Sequence, residues 1–343
     1  MLNPFAPRYA LTACAGALFM FSVSGAMADK TQYPLTIKNC GHTLTFKKAP
    51  ENIVSVGQNS TEILYLLGLA DKVSGTALWI SPVLEEFTEV NKKIERLADN
   101  DPSFESVVSK KPDLVATQYQ WQIGPVGVVG TVEQFTELDI PVYTSPSDCE
   151  GKDNTEGGDG TRNTQFTMDL VYKEIEELSQ IFDVQDKGKE VVAGLKAREE
   201  AAKKKVSSLQ GNVSGVFWFS SADLELDPYV AGKFGPSNYI MQTLGMKNVI
   251  DSADEWPTVG WETIAKADPT VIVLGKMSRR RFPADDWEVK MDFLKNDAVT
   301  KLMPAVEKDR LVVIEVQTMN AGIRTVNGIE EIAEALLKFG LAK

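Results

Sequence analysis

Histidine is nearly absent: one residue, His42, in a chain of 343. That leaves no His-rich metal site and argues against a His-based catalytic triad. Basic residues are outnumbered, with 36 Lys and Arg against 48 Asp and Glu and a net charge of −12, which excludes the broad basic surface of a nucleic-acid binder. Catalytic signatures are missing as well. No G-x-S-x-G elbow occurs, and Gly124, Gly127 and Gly130 are wrongly spaced for the G-x-G-x-x-G dinucleotide turn. Past residue 28 no run is long and apolar enough to cross a bilayer. What is present is ordinary globular composition, 43% apolar and 24% charged, so wholesale disorder and collagen-like repeats are excluded. At about 100–200 residues per domain, the length predicts two domains.

Residues 1–28 read as an address. They hold no acidic residue and one Arg, Arg8. An apolar run from Tyr9 to Val23 leads to Ala26-Met27-Ala28, an A-x-A cleavage site ahead of Asp29. The run is shorter than the ~20 apolar residues of a membrane span. Leu11-Thr12-Ala13-Cys14 also resembles a bacterial lipoprotein box, yet the apolar stretch continues past Cys14, where a lipid-anchored chain should turn polar. The expectation is a signal peptide and a soluble exported (periplasmic) protein, with lipid anchoring at Cys14 as the alternative. Export leaves Cys40 and Cys149. An oxidising compartment invites a disulfide between them; two free thiols fit equally, because sequence separation carries no geometry.

The rest of the chain alternates strands and helices in two similar halves. Leu35-Thr36-Ile37-Lys38, a turn at Asn39-Cys40-Gly41-His42, and Thr43-Leu44-Thr45-Phe46 predict a hairpin. Strands are predicted at 52–57, 72–77, 112–117 and 140–143, with helices at 60–67, 104–108 and 132–138. Residues 145–162 are rich in Ser, Pro, Asp, Gly and Asn and break the pattern. A helical tract follows from 163 to about 209, interrupted near 183–188, with Ile175, Leu178 and Phe182 at helical spacing. Strands then recur at 213–219, 270–274 and 311–314, among helices at 239–244, 261–265 and 329–339. The halves share a phrase: Phe104-Glu105-Ser106-Val107-Val108 before Lys111-Pro112-Asp113-Leu114-Val115, and Trp261-Glu262-Thr263-Ile264 before Asp268-Pro269-Thr270-Val271-Ile272. The implied boundaries are a leader at 1–28, an N-terminal α/β lobe at 29–162, an interdomain helical segment at 163–209 and a C-terminal α/β lobe at 210–343. Parallel α/β sheets bind ligands beyond the carboxyl ends of their strands, so the cleft between the lobes is the predicted site.

Aromatic and cationic residues follow those strand ends. Gln58 and Asn59 follow the first strand, Trp79 the second, and Tyr119 and Trp121 the third. Trp218 and Phe219 end the first strand of the second half. Arg279, Arg280 and Arg281 follow the next, and Met319 and Asn320 the last. Aromatic walls with a few cations suit a bulky, partly planar, anionic ligand, and Arg suits bidentate contacts with carboxylates.

Ala49-Pro50-Glu51-Asn52-Ile53-Val54-Ser55, Thr61-Glu62-Ile63-Leu64 with Leu67-Gly68-Leu69, Lys111-Pro112-Asp113-Leu114-Val115, Trp256-Pro257-Thr258-Val259 with Trp261-Glu262, and Gly322-Ile323-Arg324 with Asn327-Gly328-Ile329-Glu330-Glu331 carry a resemblance in their order and spacing. Over roughly residues 33–340 the chain resembles the periplasmic solute-binding proteins of bacterial ABC importers for ferric siderophores, haem and cobalamin. The resemblance implies two Rossmann-like α/β lobes bridged by one long interdomain helix, a cleft that hinges little, and delivery of ligand to a two-subunit inner-membrane permease without catalysis. It also implies docking through an exposed Glu on each lobe. Glu62 matches the first such position; the second falls on Gln242, a departure that Glu255 could make good. Haem-binding relatives supply a Tyr to iron after the second strand, where this chain has Trp79-Ile80-Ser81-Pro82; Tyr119 keeps haem open. Cobalamin would use the aromatic walls but not the arginines. A ferric siderophore would use both and brings its iron already chelated, so no cofactor and no metal ligand from a monomeric binding protein is expected.

Two other classes compete. An enzyme on the same α/β architecture would need a catalytic cluster, and nothing singles one out. A Ca²⁺ module could use Asp148, Asp153, Glu156 and Asp159 around Gly157-Gly158-Asp159-Gly160, but the D-x-[DN]-x-[DN]-G register is missing, and a polar connector is the preferred reading.

Overall fold

A computed structural model describes residues 30–124, 127–155, 159–209 and 212–343. The expected leader with Arg8 and Cys14 lies outside them, as do Glu156, Gly157 and Gly158 of the acidic loop. β1 (Leu35–Asn39) and β2 (His42–Phe46) pair antiparallel about Cys40 and Gly41, whose positive φ values of 47° and 84° make the tight hairpin turn.

The N-terminal lobe then builds a parallel sheet. Its elements are β3 (Ile53–Val56), α1 (Gln58–Leu66), β4 (Val73–Ala77), α2 (Thr88–Asn91), β5 (Arg96–Ala98), α3 (Phe104–Val108), β6 (Leu114–Thr117), α4 (Val132–Thr136) and β7 (Val142–Thr144). Strand order is β5-β4-β3-β6-β7. β3 and β6 are buried at every residue, Ser55 and Thr117 included, as mostly apolar strands in a sheet covered on both faces must be. Ser103 and Thr131 start α3 and α4 by accepting hydrogen bonds from the backbone N–H of Ser106 and Gln134.

A small ribbon, β8 (Lys152–Asp153) with β9 (Thr161–Arg162), crosses the polar connector. The helical tract is two helices, α5 (Met168–Ile181) and α6 (Gln185–Lys205), parted where the interruption near 183–188 is expected, because Asp183 takes φ 58° and ends the first. α5 belongs to the N-terminal lobe, where Val171, Ile175 and Leu178 pack in its core. α6 is the longer, about 31 Å at 1.5 Å per residue. Its Val192 and Leu195 pack in the N-terminal core and its Ala202 in the C-terminal one.

The C-terminal lobe comprises β10 (Ser214–Ser220), β11 (Tyr229–Val230), α7 (Pro236–Thr243), β12 (Lys247–Asn248), α8 (Trp261–Ala267), β13 (Val271–Lys276), α9 (Trp287–Asn296), α10 (Pro304–Glu307), β14 (Leu311–Glu315) and α11 (Thr325–Lys338). Strand order is β11-β10-β13-β14, with β12 also on β10. Ile323 and Val326, at the start of α11, pack back into the N-terminal core, so α6 is not the only segment that crosses between the lobes.

In each sheet the chain starts centrally and then builds outward on both sides. The reversal falls between β3 and β6, and between β10 and β13. Such switch points open a crevice at the carboxyl ends of the strands. Gly57 makes the first one possible. Its φ is 128°, and a Cβ there would lie 2.3 Å from the Cβ of Gln118, which follows β6.

Candidate functional site

A cavity of about 380 Å³ lies where both switch points meet, between the lobes. Each lobe supplies an aromatic pair. Tyr119 and Trp121, after β6, stack with centroids 5.9 Å apart and planes 19° apart; Phe219 and Trp256 approach to 4.5 Å. A broader hollow of about 1500 Å³ opens on the outer side of Trp121, walled by the β1–β2 turn and sharing Trp121, Lys152 and Asp159 with the cavity. Cys40 and Cys149, both on that wall, form a disulfide with Cα atoms 5.6 Å apart, which decides between the two thiol readings.

The polar lining from the 145–162 connector is largely self-neutralised. Lys152 Nζ pairs with Asp148 Oδ1 at 2.6 Å, and Arg162 Nε with Glu255 Oε2 at 2.6 Å, all four side chains buried. Asp148 also accepts the backbone N–H of Gln120 at 2.6 Å, which seats the loop that carries Trp121. Burial pushes the Asp159 carboxyl up, opposed by the nearby Lys152. Burial, reinforced by Asp148, Asp159 and Glu255, pushes the Tyr119 phenol well above its ordinary range, so it keeps its proton. Asp148 and Asp153 of the connector are engaged elsewhere. Asp148 is paired, Asp153 accepts from Thr155, and among the described residues no group of three or more metal-ligating side chains occurs.

The arginines after β13 differ from one another. Arg279 reaches across the cleft: its Nη1 donates to the carbonyl of Asp99 at 3.0 Å and to the Asn100 side chain, while its Nε is buried without an acceptor among the described residues. Arg281 lines the cavity and forms no ion pair among the described residues. Its backbone N–H is held by Asp285 Oδ2 at 2.6 Å. Arg280 points out and pairs with Asp286 at 2.5 Å.

Of the residues predicted from strand ends, Tyr119, Trp121, Phe219, Arg279, Arg281 and Asn320 line the cavity. Six do not. Asn59 is buried and donates to Glu174 Oε2 at 3.2 Å. Gln58 is buried and ties down the loop after β4, accepting from the N–H of Ile80 and Ser81 and donating to the carbonyl of Pro82 at 3.1 Å. Trp79 is buried beneath Arg96, its indole N–H on Thr76 Oγ1. Trp218 lies in the core against Trp261 and Phe293, because successive residues of a strand face opposite sides and it is Phe219 that reaches the cleft. Met319 is in the core, and Arg280 faces solvent. Trp256, Arg162 and Lys152 were missed as lining residues; Trp256 carried a signal, the Trp-Pro turn already seen as a motif.

The docking expectation for Glu62 needs correction. Glu62 is fully buried, and its carboxylate takes a bidentate grip from Arg324, Nε to Oε2 at 2.8 Å and Nη2 to Oε1. It also accepts the backbone N–H of Leu84 at 3.2 Å. Next to it, Asn59 Oδ1 accepts the N–H of Ile323 at 2.9 Å. These bonds fasten the start of α11 to α1, so the Thr61-Glu62 and Gly322-Ile323-Arg324 motifs are two halves of one interlobe clasp. Glu255, the proposed substitute in the second lobe, is buried with Arg162, whereas Gln242 is exposed on α7.

The architecture is two parallel α/β lobes about a ligand-sized cleft. The chain belongs to the periplasmic binding protein family, which matches residues 53–318. It is the substrate-binding component of an ABC importer and not an enzyme. It is 25% identical over 313 residues to an uncharacterized ABC transporter substrate-binding lipoprotein of Bacillus subtilis, covering 90% of this chain and 87% of that one. It is 26% identical to a vitamin B12-binding protein of Vibrio campbellii, covering 84% and 91% of the two chains. Among solved structures, a periplasmic binding protein from Veillonella parvula superposes with a TM-score of 0.73 at 22% identity, covering 88% of this chain and 97% of that one. An ABC-type Fe³⁺-hydroxamate transport protein from Saccharomonospora viridis gives 0.72 at 24%, covering 89% and 99%. At these identities the structural likenesses establish the fold. Among the described residues no helix is long and apolar enough to cross a membrane.

Proposed function

We propose that this chain captures an anionic ferric siderophore in the interlobe cavity and hands it to an inner-membrane ABC permease, after export with residues 1–28 removed. The observation that carries the reading is the arginine pair. Arg279 and Arg281 line a cavity with aromatic walls and form no ion pair among the described residues, whereas the other lining cations, Lys152 and Arg162, are paired. Unpaired guanidinium groups beside aromatic faces suit a planar anion. A cavity of about 380 Å³ is at the small end for ligand sites, so it suits the chelate's charged head, with the adjoining hollow taking the remainder. The protein need not ligate iron.

Haem is disfavoured: Trp79 faces the core, and Tyr119 keeps its phenolic proton in an acidic surround. Cobalamin is the second reading, supported by the vitamin B12-binding relative and by the two aromatic pairs, but it leaves the arginines unused. For docking, the reading moves from Glu62 to Glu105 and Glu262. Each is exposed, each is the second residue of a short helix leading into an inner strand, and the two helices, α3 and α8, hold equivalent places in the two lobes. A helix that leads into a parallel strand begins at the carboxyl edge of the sheet, on the cleft side.

The test is a tryptophan-fluorescence titration with ferric citrate, ferric enterobactin, a ferric hydroxamate, cobalamin and haemin. Saturable quenching by an anionic ferric chelate, reduced in Trp121→Phe and Trp256→Phe, is expected. Saturation by cobalamin alone would replace the first reading with the second.

A further inference from the structure

Beneath the arginine loop lies a lysine that does not line the cavity. Lys290, on α9, has 0% exposure. Its Nζ donates to the carbonyl oxygens of Gly275 at 2.6 Å and Trp218 at 3.3 Å, and to that of Phe219. These carbonyls lie near the carboxyl ends of β10 and β13, where the strands hand over to the cavity residues Phe219, Ser220, Met277 and Arg279. Three donated bonds use every N–H of an ammonium; a neutral amine has two. Lys290 therefore pins the two central strands of the C-terminal lobe only while it is charged.

Its surroundings do little to neutralise that charge. Asp285 is the one group that acts on it electrostatically, and Asp285 is engaged elsewhere. Its Oδ1 accepts from Ser220 Oγ, and its Oδ2 accepts from the backbone N–H of Arg281 and Phe282. The other charged groups on packed elements face away: Asp286 pairs with Arg280, Lys276 with Glu315, and Lys301 is exposed. The Trp218 ring lies 5.4 Å from Nζ.

We propose that Lys290 is a positioning residue for the arginine loop whose proton is linked to ligand capture: an anion bound above it stabilises the ammonium, so a proton is taken up on binding, and a neutral ligand takes up none. This rests on the reading of the ligand as an anion. Burial pushes the Lys290 ammonium down from its ordinary range to about 7, so the free protein sheds this proton near neutral pH. A bound anion raises that value. Affinity is then greatest at low pH, falls as pH rises through the free-state value, and levels off above the bound-state value. Asp159 is also pushed up by burial, so uptake is assigned to Lys290 only where its variants abolish it.

The experiment is isothermal titration calorimetry of the mature chain with ferric citrate and ferric enterobactin, and with cyanocobalamin as the neutral comparator. Each is run in two buffers of different ionisation enthalpy at pH 6 and pH 8. For wild type, uptake approaching one proton is expected at pH 8 and little at pH 6, with affinity falling by at most about tenfold per pH unit between them. Lys290→Met should bind the anionic probe more weakly, with neither proton uptake nor that pH dependence; Lys290→Gln serves if the first variant does not fold. An anionic probe that binds wild type without uptake at pH 8, or uptake that persists in both variants, overturns the proposal. If neither ferric probe binds, the anionic-ligand reading fails on its own. Carbon-13 NMR of the lysine Cε groups then decides on Lys290: a resonance that titrates near neutrality and is missing from the variant supports the linkage, and one charged up to pH 10 overturns it.

Discussion

The two lobes follow one plan but equip the cleft differently. The N-terminal lobe supplies a fixed wall. Its hairpin is bonded through Cys40–Cys149 to the loop after β7, and its cleft-facing lysine is matched, Lys152 with Asp148, while Asp101 and Asp159 form no ion pair among the described residues. The C-terminal lobe supplies cations without an ion pair among the described residues, Arg279 and Arg281 on a loop held mainly by Asp285 and Lys290 on α9 beneath it. Shape comes chiefly from one lobe and electrostatic preference from the other. A matched buried pair contributes little net field to a ligand, whereas an unmatched cation contributes nearly all of its own.

The comparison can be broken most forcefully at the clasp. Glu62→Ala leaves Arg324 buried without its partner, which should cost about 3–5 kcal/mol of stability in urea unfolding. A loss under 1 kcal/mol would mean that Arg324 finds another acceptor and that the lobes do not depend on the pair. Charge in the second lobe comes next. Arg279→Ala with Arg281→Ala should weaken an anionic ferric chelate by about 2–5 kcal/mol in the fluorescence titration, while Arg280→Ala should change nothing. Equal effects from all three would move the loop out of the site. Opening the disulfide with Cys40→Ser and Cys149→Ser frees a loop closed across 109 residues and should lower stability by about 2–4 kcal/mol, with a smaller effect on affinity. A collapse of affinity at unchanged stability would instead make the N-terminal wall the source of selectivity. The smallest effect on binding is expected from Glu105→Ala with Glu262→Ala. Ligand affinity and unfolding should match wild type, and transport by the reconstituted permease should fall; undiminished transport would remove these residues from docking.

Much of the plan was legible in the chain. Mostly apolar runs such as 53–56, 114–117 and 271–274 are strands of parallel sheets buried on both faces, and that burial is what writes them without polar alternation. Helix α9 was not read. Its buried face carries Lys290 beside Leu294, so the apolar periodicity that marks a helix is interrupted at the residue that matters most there. The break between α5 and α6 was half visible, as an interruption near 183–188.

The site was legible by loop and not by side chain. Trp218 and Phe219 end the same strand, and there one residue reverses the direction of the side chain, so Phe219 reaches the cleft and Trp218 the core. Trp79 failed for a similar reason: it follows Leu78, whose φ of 60° turns the chain so that Leu78 and Ile80 line the cavity while the indole goes inward. Glu62 failed because a carboxylate at a helix start looks the same whether it meets solvent or an arginine 262 residues away.

By itself the sequence determined the two-lobe α/β architecture, the cleft and the family, since these follow from local apolar patterning and from the order of short motifs along the chain. Only the tertiary structure decided which charges are matched and which are free. Pairing joins residues far apart in sequence, such as Glu62 with Arg324 and Arg162 with Glu255, and no local pattern records the distance between two side chains across a fold.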